Sequence, residues 1–309
     1  MMLSAIVCAH NEANNIGKLL ANLAGQRLPD EIEEFEILVV ASGCTDRTTS
    51  IVEGFKSSNP KIRLIEEEER RGKASALNLG LMEARGDVLA ILPADIQPAD
   101  DGLYHLLLPF RSENVMIVTG QPVQHPKAKV KGLVGYINQM TFRIWGRLIA
   151  KLNDMGMAAH CSGEFMAMRA GVVEKIPEES AADDSYIAVM GRRKGLIKYS
   201  SRAVAYNIMP SNLRDYVNQR RRWLFGHFQT QQLTGENPTV MDTVFFSKTA
   251  TSLKVLVEEV SEDLGRIPYL CAAILLEGLI YVLAVGDSIL DKEYGIWPVI
   301  QSTKVKFGN

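Results

Sequence analysis

The feature that most limits what this chain can fold into is an alternation confined to its first hundred residues. Four compact apolar runs, "LSAIVCA" (3–9), "EFEILVVASG" (34–43), "KIRLIEEE" (61–68) and "DVLAILPAD" (87–95), are separated by three stretches of helical character. These are "IGKLLANLAGQ", "CTDRTTSIVEGF" and "GKASALNLGLMEAR". Strands that alternate with helices make βαβ units, which predicts an α/β class with a mainly parallel sheet covered on both faces. In such sheets ligands sit outside the carboxyl ends of the strands. The loops "AHNEANN", "ASGCTD" and "PADIQP" are therefore where chemistry is expected.

Beyond residue 100 the pattern is mixed. "MIVTGQPVQ" (116–124) reads as a strand, and residues 130–152 and 213–233 read as long amphipathic helices. Residues 160–176 read as a loop, a short strand and a helix, and "AADDSY" opens a further helix with two adjacent acids. The segment 267–287 is apolar except for Glu277 and its closing Asp287, and its stretch 268–286 is close to the roughly 20 residues a bilayer span needs. An acid at the centre of a span costs about 2.5–3.5 kcal/mol, so a helix packed on the domain competes with a membrane helix. The expected division is a catalytic domain over 1–235 and a helical, membrane-associated region over 236–309.

Composition excludes some functions. A net charge of −2 and a pI near 6.3 leave no footprint for nucleic acid. Cys8, Cys44, Cys161 and Cys271 are scattered without ligand spacing, which predicts reduced thiols in a cytosolic compartment and no zinc site. The N-terminus has no basic region before its short apolar run and reads as a first strand, not a secretory signal.

The acids carry the functional signal. Asp95 ends a buried strand, where a lone carboxylate is costly unless a cation pairs with it. Asp46 and the pair Asp183–Asp184 lie at loop–helix junctions, Lys73 follows Gly72 at a helix start, and Arg222 precedes Trp223 in "QRRRW". Acids that hold a metal beside basic groups suit a diphosphate, and a further carboxylate can serve as a general base on a hydroxyl. Each residue also has a plain reading. Asp46 suits a helix cap, Asp183 and Asp184 suit a helix dipole, and "GKAS" lacks the upstream glycine of a phosphate loop. Of the histidines, only His227 lies beside the basic helix.

The order of the motifs resembles the family-2 glycosyltransferases and their GT-A nucleotide-sugar fold. "VCAHNEANNI", "VVASGCTDRT", "RRGKASALNLGL", "DVLAILPADIQP", "CSGEFMAMR", "AADDSY" and "QRRRW" run in family order across residues 3–233. The last is Gln-x-x-Arg-Trp at Gln219, Arg222 and Trp223, similar to the motif of membrane-bound members such as cellulose, chitin and hyaluronan synthases. The resemblance implies that Glu12, Asp46, Lys73, Asn78, Asp95 and Arg222 bind the donor. It implies that Asp95 holds Mn²⁺ or Mg²⁺, that Asp184 of the Asp183–Asp184 pair is the catalytic base, and that Gly163, Gln219 and Trp223 face the acceptor.

Two positions depart from the family pattern. Pro93 stands where the first acid of Asp-x-Asp is usual, and Ala41 and Ser42 stand before Gly43 where an acid is usual. Both lost acids usually contact the nucleoside. The expected function is inverting transfer of a sugar, from a UDP-sugar before other donors, to a hydroxyl on a lipid-linked or glycan acceptor at the cytosolic membrane face. An integral membrane partner is compatible with this. The alternative is a silent scaffold that keeps the fold within a membrane glycan-synthesis complex. A sugar nucleotidyltransferase is disfavoured because the first loop has no glycine, and a Rossmann dehydrogenase because no GxGxxG follows a strand.

Overall fold

A computed structural model describes residues 1–126, 132–290, 292–296 and 303. The chain begins with β1 (Met2–Ala9), α1 (Ile16–Ala24), β2 (Glu34–Ser42), α2 (Thr48–Ser58), β3 (Ile62–Glu67), α3 (Lys73–Glu83) and β4 (Val88–Pro93). It continues through β5 (Gln97–Pro98), α4 (Gly102–Leu107), β6 (Val115–Gln124), α5 (Gly132–Asp154), β7 (Met166–Arg169), α6 (Asp183–Arg192) and β8 (Leu196–Asn207). After β8 come α7 (Leu213–Thr234), α8 (Met241–Ser247), α9 (Thr249–Ser261) and α10 (Ile267–Ile289).

The strands form one mixed, mainly parallel sheet in the order β3-β2-β1-β4-β7-β6-β8-β5. The first four strands run parallel, with β1 between β2 and β4, while β7 is antiparallel to both β4 and β6. Alternation along β1 explains how the sheet is covered. Leu3, Ala5 and Val7 face a layer built with Leu19, Leu20 and Leu23 of α1. Ile6 faces the opposite layer, with Leu77 of α3 and Ile187 of α6. β1 and β4 are buried on both faces, which is why they read as unbroken aliphatic runs. A third apolar cluster joins α5 and α7 to the later helices, through Met140, Leu148, Tyr216, Leu224, Val255, Ile280 and Ala284.

Three local outcomes differ from the pattern reading. β8 has no counterpart in the expected elements, because its polar centre "SSR" interrupts the apolar run; β6 pairs it in parallel with two register irregularities. The helix expected after β7 does not form. Gly171 takes a left-handed φ of 77°, and Val172, Val173 and Ile176 fill the second layer from an irregular segment. The first residues of the helix expected over 130–152, and most of 297–309 in the C-terminal region, lie outside the described residues.

Candidate active site

The carboxyl ends of β1, β2 and β4 open onto a cleft of about 350 Å³, whose far walls are α5, α6 and α7. Glu12, Lys73, Asp95, Gly163, Asp183, Asp184, Gln219, Arg222 and Trp223 all line it. Residues as distant in sequence as 12 and 223 therefore share one site, and the sheet topology accounts for this.

The centre of the cleft is an ion cluster. Lys73, the first residue of α3, reaches across to Asp183, with Nζ 2.8 Å from Oδ2, and donates to the Gly163 carbonyl at 3.2 Å. Burial works against the Lys73 ammonium, but Asp183 and Asp184 outweigh it and raise its pKa. Asp183 is 4% exposed, so the pair is well shielded from water. The neighbouring Asp184 remains partly exposed to the cleft. Its two oxygens are oriented from the backbone: Oδ2 accepts the Gly163 N–H at 3.0 Å and Oδ1 accepts the Ser185 N–H at 2.8 Å. The two acids of one motif thus occupy different environments, one locked to a lysine and one presented to the cleft.

Gly163 is glycine for a steric reason. A Cβ there would stand 2.9 Å from Asp184 Oδ2 and 3.2 Å from Lys73 Nζ. Gly72 is under a similar constraint: its φ is 102°, and the Gly295 carbonyl approaches to 2.3 Å of where its Cβ would be.

Asp95 follows β4 in a tight turn whose Ala94 N–H bonds to the Cys8 carbonyl. Burial raises its pKa, and Lys73 offsets only part of that cost. Arg222 donates to the Ala181 carbonyl at 2.8 Å and so ties α7 to the start of α6; burial lowers its pKa against the pull of Asp183 and Asp184.

Two expected donor contacts lie outside the cleft. Asp46 accepts the Thr48 N–H at 2.9 Å, the Thr48 hydroxyl, and the Ala13 N–H at 3.1 Å. It holds Thr48, the first residue of α2, in a local turn and ties the first loop to the second; the N-cap position itself is Arg47, so Asp46 is not the helix cap. Asn78 bonds both polar groups of the Ile176 backbone, each at 2.8 Å, which holds the irregular segment after β7. Both amide and carboxylate are consumed by scaffold bonds, and that is why neither faces the cleft.

The cleft also holds residues the motifs did not single out. Glu164 accepts from Asn207 at 2.9 Å, and burial pushes its pKa up to about 7, with Asp95 adding to the rise. Its only sequence signal was an acid directly before a buried strand in "SGEF". Phe142, Trp145 and Ile149 of α5 form one helical stripe along the wall, with His160 edge-on to Trp145 at 4.8 Å between centroids. Where the second loop lacks its usual acid, Ser42 donates at 2.5 Å to Glu67, whose other oxygen accepts from Ser75 at 2.6 Å. Glu277 is a paired acid: it accepts from Tyr216 at 2.5 Å and from Arg220 at 2.9 Å.

The family model for Glycosyl transferase family 2 matches residues 4–177, more than half of the chain. The chain belongs to glycosyl transferase family 2. Among curated relatives, it is 26% identical over 226 residues to the poly-beta-1,6-N-acetyl-D-glucosamine synthase of Staphylococcus aureus strain MSSA476, covering 72% of this chain and 53% of the relative. The Staphylococcus epidermidis protein of the same name is 25% identical over 231 residues, covering 72% and 54%. The chain therefore spans about half the length of the curated relatives it matches. Among solved structures, a mannosyltransferase from Pyrobaculum calidifontis, in complex with GDP-Man and Mn²⁺, superposes with a TM-score of 0.65. It is 23% identical, with 94% of this chain and 88% of that chain covered. S. aureus TarS 1–349 in complex with UDP gives a TM-score of 0.51 at 19% identity, covering 95% and 93%. These likenesses give this glycosyltransferase its GT-A-like fold.

Proposed function

We propose that this glycosyltransferase moves a sugar from a nucleotide-diphosphate sugar, UDP-linked before GDP-linked, to the hydroxyl of a lipid-linked or glycan acceptor, with inversion, at the cytosolic membrane face. The observation that carries this reading is the meeting of Asp95, Lys73, Asp184 and Arg222 in one cleft at the carboxyl ends of the sheet. The relatives that make a glycan and the solved relatives bound to UDP or GDP-Man support the donor class.

The roles follow from the environments. Asp184 faces the cleft with both oxygens held, so it takes the proton of the acceptor hydroxyl. That oxygen attacks the anomeric carbon from the face opposite the departing diphosphate, the new C–O bond forms, and the old one breaks with its electrons on the diphosphate. Lys73 holds Asp183 and the Gly163 loop in place, which positions the base. Arg222 and Lys73 supply positive charge beside the leaving group. Glu12 serves the donor side, while Trp223, Gln219 and Gly163 border the acceptor. The chain divides in this reading into a catalytic part through residue 235 and a helical remainder that packs on α5 and α7.

A divalent cation fits Asp95. The carboxylate is half-buried in the cleft wall, and desolvation there raises its pKa against the pull of Lys73. Among the described residues no group of three or more His, Cys, Asp or Glu could hold the ion by itself. Mn²⁺ or Mg²⁺ would then draw its other ligands from the diphosphate and water. When bound it neutralises charge on the leaving group.

The test is thermal unfolding with UDP, GDP and CDP, each with and without Mn²⁺, for the unmodified protein and for Asp95→Ala. Ligand at 100 times Kd stabilises by about 2.7 kcal/mol. The expected result is a shift for one nucleotide that requires the metal and disappears in Asp95→Ala. A folded sample that shifts with none of the three would sink the proposal and favour the silent scaffold.

A further inference from the structure

Glu164 is an acid of the cleft wall to which the mechanism above gives no task. It lies two residues before β7, where the chain turns and the Phe165 N–H bonds to the Ser162 carbonyl at 3.2 Å. The antiparallel pairing of β4 with β7 sets Leu89 against Met168 and Ile91 against Met166. Two further residues along each chain bring Glu164 level with Pro93. Pro93 is the position from which the usual first acid of Asp-x-Asp is missing. An acid is therefore absent from the end of β4 and present at the same level beside it. Pro93, Asp95 and Glu164 all line the one cleft.

Two carboxylates that share a site repel each other unless positive charge stands with them. The repulsion registers at Glu164, whose pKa Asp95 raises beyond the effect of burial. Lys73 pulls the other way, but its Nζ is committed to Asp183 at 2.8 Å and to the Gly163 carbonyl at 3.2 Å. The support for a ligating carboxylate is in place. Asn207, the last residue of β8 and 7% exposed, donates from Nδ2 to Glu164 Oε1 at 2.9 Å. Carboxylates that bind metals are held by such outer hydrogen bonds. Asn207 Oδ1 is buried and has no hydrogen-bond partner. An orphaned buried acceptor is costly, and the water of a hydrated cation at Glu164 supplies the donor it lacks.

Position separates this task from that of the lost acid, which usually contacts the nucleoside. β4 lies between β1 and β7 in the sheet. Glu164 approaches from the β7 side, next to Gly163, whose N–H orients Asp184. It therefore stands on the reacting side of Asp95, away from the loops that follow β1 and β2.

We propose that Glu164 is the second carboxylate of the divalent-cation site, reaching it from the start of β7 where β4 offers only Pro93. This deepens the cation reading above and rests on it. Small divalent cations are held by one or two carboxylates together with substrate phosphates, so Asp95 and Glu164 complete the protein's share.

The test is Mn²⁺ binding in the presence of UDP or GDP, read from loss of the free-ion electron paramagnetic resonance signal. The unmodified protein is compared with Asp95→Ala, Glu164→Gln and Glu164→Cys. Glutamine keeps the size of the side chain and an acceptor for Asn207, and the thermal midpoint checks the fold. Glu164→Gln should weaken Mn²⁺ by about 10–100-fold and leave metal-free nucleotide affinity unchanged. A thiolate is a soft ligand, so Glu164→Cys should raise the affinity for Cd²⁺ relative to Mn²⁺ above the ratio of the unmodified protein, which a purely structural residue would not do. Unchanged Mn²⁺ affinity in folded Glu164→Gln overturns the proposal, including the case in which UDP-sugar binding falls instead and Glu164 is a contact for the sugar. If Glu164→Gln does not fold, the metal preference of Glu164→Cys decides, and an unaltered ratio overturns the proposal. Mn²⁺ binding lost in Asp95→Ala but kept in Glu164→Gln refutes this inference alone. An unmodified protein that takes up no Mn²⁺ with either nucleotide overturns it together with the cation reading.

Discussion

Lys73 is the side chain whose removal tests the most of this reasoning. Its Nζ stands 2.8 Å from Asp183 Oδ2, and the two side chains are 19% and 5% exposed. At an effective dielectric constant of about 20, two unit charges at that distance attract by roughly 6 kcal/mol before desolvation is counted. Desolvation cancels much of this, but breaking such a pair leaves an uncompensated buried charge, and that costs about 3–5 kcal/mol. Lys73→Met should therefore lower unfolding free energy by about 3–5 kcal/mol at pH 7, with the lower end favoured because Arg222 also feels Asp183. Lys73→Met combined with Asp183→Asn should lose far less than the sum of the single losses, with a coupling of about 2–3 kcal/mol. Urea unfolding is the assay, read from midpoints at unchanged m. Additivity within about 0.5 kcal/mol would show that the two side chains act independently and would refute the picture of Lys73 as the clasp that positions the Asp183–Asp184 pair.

Two further outcomes are expected. Gly163→Ala places a methyl group 2.9 Å from Asp184 Oδ2; turnover should fall about 10–100-fold through displacement of the base, and unchanged turnover in a stably folded variant would exclude Asp184 as the proton acceptor. Glu36, 5% exposed, accepts from the Ser4 hydroxyl, the Arg85 N–H and Arg63. Burial opposes its charge, but these three donors outweigh burial and hold its pKa below the ordinary 4.5. The folded state then binds fewer protons than the unfolded state, so this stabilisation is present above pH 4.5 and is lost as pH falls through the folded value. Glu36→Gln should be less stable than the parent by about 1–3 kcal/mol at pH 7, with the gap narrowing below pH 4.5; a gap that stays constant down to acid pH would contradict the assignment.

Much of the fold was legible because β1, β2 and β4 are largely buried aliphatic runs separated by helices, so local pattern and tertiary environment agree. It was illegible where they disagree. β8 carries its polar centre through a break in its pairing with β6, and residues 170–176 have helical composition but a left-handed Gly171 and packing against the sheet. The candidate site divides in the same way. Lys73, Asp95, Asp183, Asp184 and Arg222 announced themselves as charges at element boundaries, Gly163 came only from the family resemblance, and all line the cleft. Asp46 and Asn78 have the same chemistry, yet their bonds go to Thr48 and Ile176.

The sequence by itself determined the alternation that makes a parallel α/β core, the order of the family motifs and the apolar length of α10. Periodicity and composition act over a few residues, and these properties are local. The tertiary structure alone decided which of two adjacent aspartates is locked and which is presented, because Lys73 arrives from 110 positions away in the chain. It also decided that both acids of α10 face inward to arginines of α7. Direction and pairing depend on where distant elements come to rest, and a linear string of residues does not contain that information in any one window.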